Sequence, residues 1–304
     1  MFRSYALDLK EIYPLIKDQS AESLYEPFDA EGVSDTLNNM LNAKAPFLNA
    51  KALCDLFFPP VECPVFLSHS GKDKDNVRRF ARWLNEKFEI NAFIDSDLWG
   101  CIDVLQKKLD CSCRIDPVTR KHLVNPGNSH RATYDYNERN YSTAHVHMML
   151  SHALTQMIHS SECFIFLRTS KSISHHDAIT GTFSSWIFHE LATVDTIKVN
   201  RSRDSLPSDE SLAQENFSAL MECVGSRQEI FYPVPLNRPY RLKKGELERW
   251  ASQDFDFDND IGSFDDPLSW FWDGFDYNDP LPTKKWERAL NWLYINCSSK
   301  GGDD

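Results

Sequence analysis

Pro64-Val65-Phe66-Leu67-Ser68-His69-Ser70 is an apolar run that stops abruptly in polar residues, and its coupling to the next segment decides the fold. After Gly71, apolar residues recur at Val77, Phe80, Ala81, Leu84 and Phe88. That is the 3.6-residue period of a helix with one buried face. Ile90-Asn91-Ala92-Phe93-Ile94-Asp95 reads as the next strand, ending in Asp95-Ser96. Val146, Met149, Leu150, Ala153, Leu154, Met157 and Ile158 trace another amphipathic helix, which leads into the apolar strand Cys163-Phe164-Ile165-Phe166-Leu167-Arg168. A loop over 169–183 precedes a helix starting near Ser184, a suitable N-cap, with Ile187, Leu191 and Val194 on its buried side. Ile230-Phe231-Tyr232-Pro233-Val234 suggests a further strand. Alternating strands and helices predict an α/β fold with a parallel, doubly wound sheet flanked by helices. Ligands bind such sheets beyond the carboxyl ends of the strands. Ser68, Asp95 and Thr169 all fall at that edge.

The chain on either side reads as additions. Residues 1–60 look like a helical N-terminal extension, with one apolar face from Tyr5, Leu7, Ile12, Leu15 and Ile16 and another from Leu37, Met40, Leu41 and Phe47. Pro59-Pro60 closes it. The α/β domain is placed at 61–235. It carries an insertion at 100–142, where Ile102–Leu109 suggests a short helix and 111–142 is polar and turn-rich. Residues 236–304 form a C-terminal extension whose stretches Asp254-Phe255-Asp256-Phe257-Asp258 and Trp270-Phe271-Trp272-Asp273 alternate acids with aromatics. This segment would serve as a docking peptide or as a strap folded back on the domain. A last amphipathic helix carries Trp286, Ala289, Leu290 and Leu293.

Composition narrows the function. At 304 residues, 41% hydrophobic and 26% charged, the chain is of ordinary globular make-up. A net charge of -12 argues against a nucleic-acid grip, which needs a basic surface to displace counterions from phosphates. No apolar run approaches the ~20 residues that span a bilayer, so no membrane partner is expected. Eight cysteines without a disulfide-framework rhythm fit free thiols in a reducing cytoplasm.

In Ser185-Trp186-Ile187-Phe188-His189-Glu190-Leu191 a carboxyl follows a tryptophan by one helical turn. Residues four apart share a helix face, so Glu190 would project beside Trp186 toward the strand ends. The same glutamate would equally serve as a solvent-facing residue of an amphipathic helix, and Trp186 as packing.

The order of these pieces resembles a bacterial Toll/interleukin-1 receptor (TIR) domain. Phe66-Leu67-Ser68-His69-Ser70 with Asp73 matches its first strand and loop, Phe93-Ile94-Asp95-Ser96 its second strand, and Ser185-Trp186 with Glu190-Leu191 its glutamate-bearing helix. The resemblance covers 63–199 and extends to about 235. It implies a flavodoxin-like sheet and an enzyme that cleaves the nicotinamide–ribose bond of NAD, with NAD as substrate and no cofactor. It also implies Glu190 as the catalytic carboxyl. Phe66 and Trp186 would wall the nicotinamide and ribose, and Ser68, His69, Asp95 and Ser96 would hold polar groups of the dinucleotide. Bacterial relatives serve in anti-phage defence, as in the Thoeris system, where a TIR protein makes a cyclic ADP-ribose-type signal that activates an effector protein. A homo-oligomer is a further expectation of this kind. Such a domain would otherwise act without catalysis, as a scaffold or nucleotide-binding module.

Two other chemistries are weaker. Cys111-Ser112-Cys113 with His122 and His130 lacks the paired Cys-x-x-Cys of zinc modules, so no metal is expected. Ser68, His69 and Asp95 could form a hydrolase triad, but no Gly-x-Ser-x-Gly elbow is present.

Overall fold

A computed structural model describes residues 3–25, 29–42, 48–98, 102–123, 133–176, 179–197, 230–234, 236, 239–255 and 284–297. In chain order the elements are β1 (Arg3–Asp8), α1 (Leu9–Ile16), α2 (Ala30–Asn42), α3 (Ala50–Phe57), β2 (Val65–Ser68), α4 (Lys74–Phe88), β3 (Ala92–Phe93), α5 (Asp95–Leu98) and α6 (Ile102–Ser112). Then come β4 (Arg114–Ile115), β5 (Thr133–Tyr134), α7 (Tyr136–Ser160), β6 (Cys163–Arg168), β7 (Ser174–His176), β8 (Ile179–Thr182) and α8 (Ser185–Thr196). The last are β9 (Tyr232–Pro233), β10 (Tyr240–Leu242), α9 (Lys244–Ala251) and α10 (Lys285–Asn296). Among the described residues none of the helices is long and apolar enough to cross a membrane.

Five strands form one sheet in the order β10-β1-β6-β2-β3, with every neighbouring pair parallel. Its two faces arise from strand alternation. On one side Val65, Leu67, Cys163, Ile165 and Leu167 join Tyr5 and Leu7 beneath α1, α4, α9 and α10. On the other, Phe66, Phe93, Phe164 and Phe166 pack with Leu53 and Phe57 of α3, the apolar stripe of α7, and Ile187, Leu191 and Val194 of α8. A parallel sheet covered on both faces reads as continuous apolar runs, which is how Val65–Leu67 and Cys163–Leu167 are written. The α/β architecture is thus as expected and is compatible with a flavodoxin-like fold.

The opening residues differ from the helical extension expected of them. Arg3–Asp8 is an inner strand, held in register with β6 (Tyr5 opposite Ile165, Leu7 opposite Leu167) and with β10 (Leu7 opposite Leu242). Tyr5 and Leu7 are two apart on a strand, whereas Ile12 and Ile16 are four apart on α1. Pooling them into a single helical face joins two periods. The switch occurs at Asp8, whose carboxylate accepts from the Lys10 backbone N–H at 3.0 Å and caps α1.

The C-terminal residues likewise complete the core. β10 adds a strand to the sheet, and Trp250 of α9 is fully buried, stacked on Phe88 at 4.1 Å with its indole N–H donating to the Ala289 carbonyl at 2.9 Å. α10 buries Ala289, Leu290 and Leu293 as the periodicity predicts. Phe255 packs edge-on against Phe88 in the same cluster. The remaining acidic-aromatic residues, 256–283, lie outside the described residues.

In the 100–142 region, α6 forms where a short helix is predicted, and β4 and β5 pair antiparallel. The polar stretch before Val146 is not a loop throughout, because α7 already begins at Tyr136. Asp135 caps it by accepting from the Asn137 and Glu138 backbone N–H groups. Its first turns are exposed, including Tyr136 and Tyr141, so they show no apolar period to read. The loop 169–183 contains the β7–β8 hairpin, and the strand predicted near 230–234 pairs with β8 in that small antiparallel sheet, outside the parallel one.

Candidate functional site

After β2 the chain moves outward to β3 and then returns across β2 to β6. Strand order reverses between β2 and β6, and the crevice at such a switch is where open α/β sheets take ligands. Ser68 ends β2, Asp95 opens α5 two residues past the end of β3, and Thr169 comes directly after β6.

Ser68 lies two residues after Phe66, hence on the face covered by α8. Its hydroxyl donates to Glu190 Oε2 at 2.5 Å, and both residues are buried. Ser184 starts α8 by accepting from the Ile187 backbone N–H, and the seating of Ile187, Leu191 and Val194 turns Glu190 inward. Helix and strand end are therefore joined through one carboxyl. Burial pushes that carboxyl well above the usual carboxylate range, the nearby Asp95 charge pushes it further, and the Ser68 hydroxyl opposes both.

His69 continues the chain from Ser68. Its Nδ1 lies 3.1 Å from the Leu67 carbonyl, which can only accept, so that nitrogen carries a proton. Nε2 then faces Asp95 Oδ1 at 3.9 Å. Glu190 thus meets Ser68 at the end of β2, and His69, the next residue, stands near Asp95.

The same edge is braced by ion pairs that the sequence alone does not single out. Asp97 is held by the Arg78 guanidinium, with Nη2 at 2.7 Å and Nε at 2.9 Å, and by Lys74 at 3.0 Å. Burial alone would raise its carboxyl, but these hydrogen bonds outweigh burial and hold it below the ordinary range. Asp73 accepts from Thr169 Oγ1 at 2.6 Å and from Lys171 Nζ at 2.8 Å, tying the loop after β2 to the loop after β6. The signal available in the sequence is Lys74 and Arg78, one turn apart on α4 and facing an acid-rich strand end.

Other predicted site residues sit differently. Phe66 is wholly enclosed between Phe93 and Phe164, with ring centroids 5.1 and 5.5 Å away, so it floors the site from inside the core and lines no opening. Strand residues of a two-sided sheet have nowhere else to point. Trp186 is half-buried against the His147 ring of α7 at 5.4 Å. His189 braces the same two helices by donating from Nε2 to the Ser151 carbonyl at 3.0 Å. Ser96 offers its carbonyl to Lys74 Nζ at 2.9 Å, while its hydroxyl oxygen is buried without a hydrogen bond.

Elsewhere, Cys113, Asn137, Glu138, Tyr141 and Ser142 line an open groove of about 460 Å³. His122 is engaged with Glu138 at 3.2 Å, and His130 lies outside the described residues. Among the described residues no three His, Cys, Asp or Glu side chains gather as metal ligands would.

Compared with protein-family models, with curated proteins and with solved structures, the chain has no match.

Proposed function

We propose that this protein cleaves the nicotinamide–ribose bond of NAD, producing ADP-ribose or a cyclic ADP-ribose-type signal for anti-phage defence, with Glu190 as the carboxyl that acts on the ribose. The observation that carries the reading is the buried Ser68–Glu190 hydrogen bond at a strand-order switch point. Departure of neutral nicotinamide leaves positive charge on the ribose, as in other oxocarbenium-like glycosyl transfers. An anion already in place helps most at that moment, since it need not reorganise. The substrate's pyridinium charge also favours the ionised form of a carboxyl that burial biases toward its neutral form. A ribose hydroxyl reaches Glu190 by taking over the bond that Ser68 makes.

One observation favours a second reading, a non-catalytic nucleotide-binding or scaffolding module. Glu190 is only 4% exposed and already satisfied by Ser68, as a purely structural tie would be. Incubation of native protein and Glu190→Gln with NAD, with and without phage lysate as trigger, separates the two. NAD loss confined to the native protein, with products assigned by mass spectrometry, supports catalysis. Equal NAD loss in both proteins overturns the role of Glu190. Nucleotide binding without turnover in either supports the module.

A further inference from the structure

Resting on that reading, we propose that Asp95 is a second catalytic residue, the base that takes the proton from the nucleophile as it attacks the ribose carbon. Among the described residues, Asp73, Asp95, Asp97 and Glu190 are spread along the carboxyl edge of β2, β3 and β6. Two of them are committed to the fold. Asp73 is spent on Thr169 and Lys171, and Asp97, 1% exposed at its side chain, on Arg78 and Lys74.

Asp95 is placed otherwise. Its side chain is 38% exposed, and its Oδ1 stands 3.9 Å from His69 Nε2, beyond hydrogen-bond distance. The His69 ring cannot turn freely, because Nδ1 is bonded to the Leu67 carbonyl. Parallel pairing of Phe66 with Phe93, carried on two residues, sets Asp95 alongside Ser68, which holds Glu190, so the two carboxyls share one strand edge, Glu190 buried and Asp95 more exposed. The Asp95 charge bearing on Glu190 is consistent with that closeness. Two carboxyls in unlike surroundings divide labour. The inner one faces the sugar, and the outer one faces the direction from which water arrives.

In the step, the C1′–N bond breaks with its electron pair going to the nicotinamide nitrogen, which leaves neutral. A lone pair of water forms the C1′–O bond, and the water proton passes to the Asp95 carboxylate and then to solvent. NAD and water give ADP-ribose, nicotinamide and one proton.

A pyridine base attacking the same carbon has no proton to lose, so exchange of nicotinamide for added 3-acetylpyridine bypasses Asp95. Native protein, Asp95→Asn, Asp95→Glu and Glu190→Gln are compared for hydrolysis and for exchange. Asp95→Asn should lose hydrolysis by about 10²–10⁴-fold, the usual worth of a general base, while keeping most of the exchange. Asp95→Glu should regain part of the hydrolysis, and Glu190→Gln should lose both reactions. Equal loss of both in Asp95→Asn would show a structural role and overturn the assignment. A second readout is independent of turnover: the infrared band of the protonated Glu190 carboxyl, identified by its absence in Glu190→Gln, should titrate at lower pH in Asp95→Asn. An unmoved band overturns the pairing even if NAD is consumed. A moved band without NAD consumption by any form upholds the pairing and overturns the reaction.

Discussion

Ser68→Ala removes one hydroxyl from a buried contact, and its cost should depend on pH. The Ser68 hydroxyl donates to Glu190 Oε2 at 2.5 Å with both residues enclosed, so no water replaces it at once. A net neutral hydrogen bond contributes about 1 kcal/mol, and one to a charged acceptor about 1.5–3 kcal/mol. The variant should therefore lose about 1 kcal/mol while Glu190 is protonated and up to about 3 kcal/mol once it ionises. Burial raises the folded carboxyl above its unfolded value of 4.5. Its neutral form thus contributes full stability below that value, and the contribution is lost as pH rises through the folded one. Without Ser68 the folded value is higher still, so the gap between native and variant opens across the range where native Glu190 ionises. Urea unfolding followed by circular dichroism, from the unfolded value of 4.5 upward into the alkaline range, reads the gap directly. A constant gap across that range would refute the reasoning, because it would mean that Glu190 does not titrate against Ser68.

Glu190→Gln carries the same linkage with opposite effect. It should be more stable than the native protein at alkaline pH, where the native side chain must ionise in a buried place, and the advantage should vanish below about pH 4.5; melting temperatures across pH test this. Trp250→Ala should cost about 3–5 kcal/mol, the usual range for deleting a buried aromatic, with the Ala289 carbonyl losing its donor. If denaturant midpoints barely move, α9 is not part of the core.

Much of the central architecture is legible because its residues obey one period at a time. Val65–Leu67 and Cys163–Leu167 are unbroken apolar runs between breakers, and the stripe of α7 from Val146 to Ile158 repeats at helical spacing. Where a short strand meets a helix without a break, as at Asp8, the two periods blur, and β1 is hidden for that reason. The strand in β10 is three residues long and depends on β1 for its pairing, so no local pattern declares it. At the site, the Trp186–Glu190 spacing points to α8, yet spacing shows only which residues share a face. That Glu190 meets Ser68 is a product of tertiary packing between residues 122 apart. The same limit applies to Phe66, where an aromatic beside a polar strand end reads alike whether it walls a pocket or fills a core.

The position of β1 has a consequence for how the molecule is made. Of the five strands in this sheet, β1 is made before the two it lies between, residues 163–168 and 240–242. Until those appear, Tyr5 and Leu7 have no lasting partner, and pairing so distant in sequence closes slowly. A nascent chain stalled before residue 163 would display an unpaired apolar strand, a target for chaperones or for mispairing, whereas release beyond residue 242 would let the sheet close on both its sides.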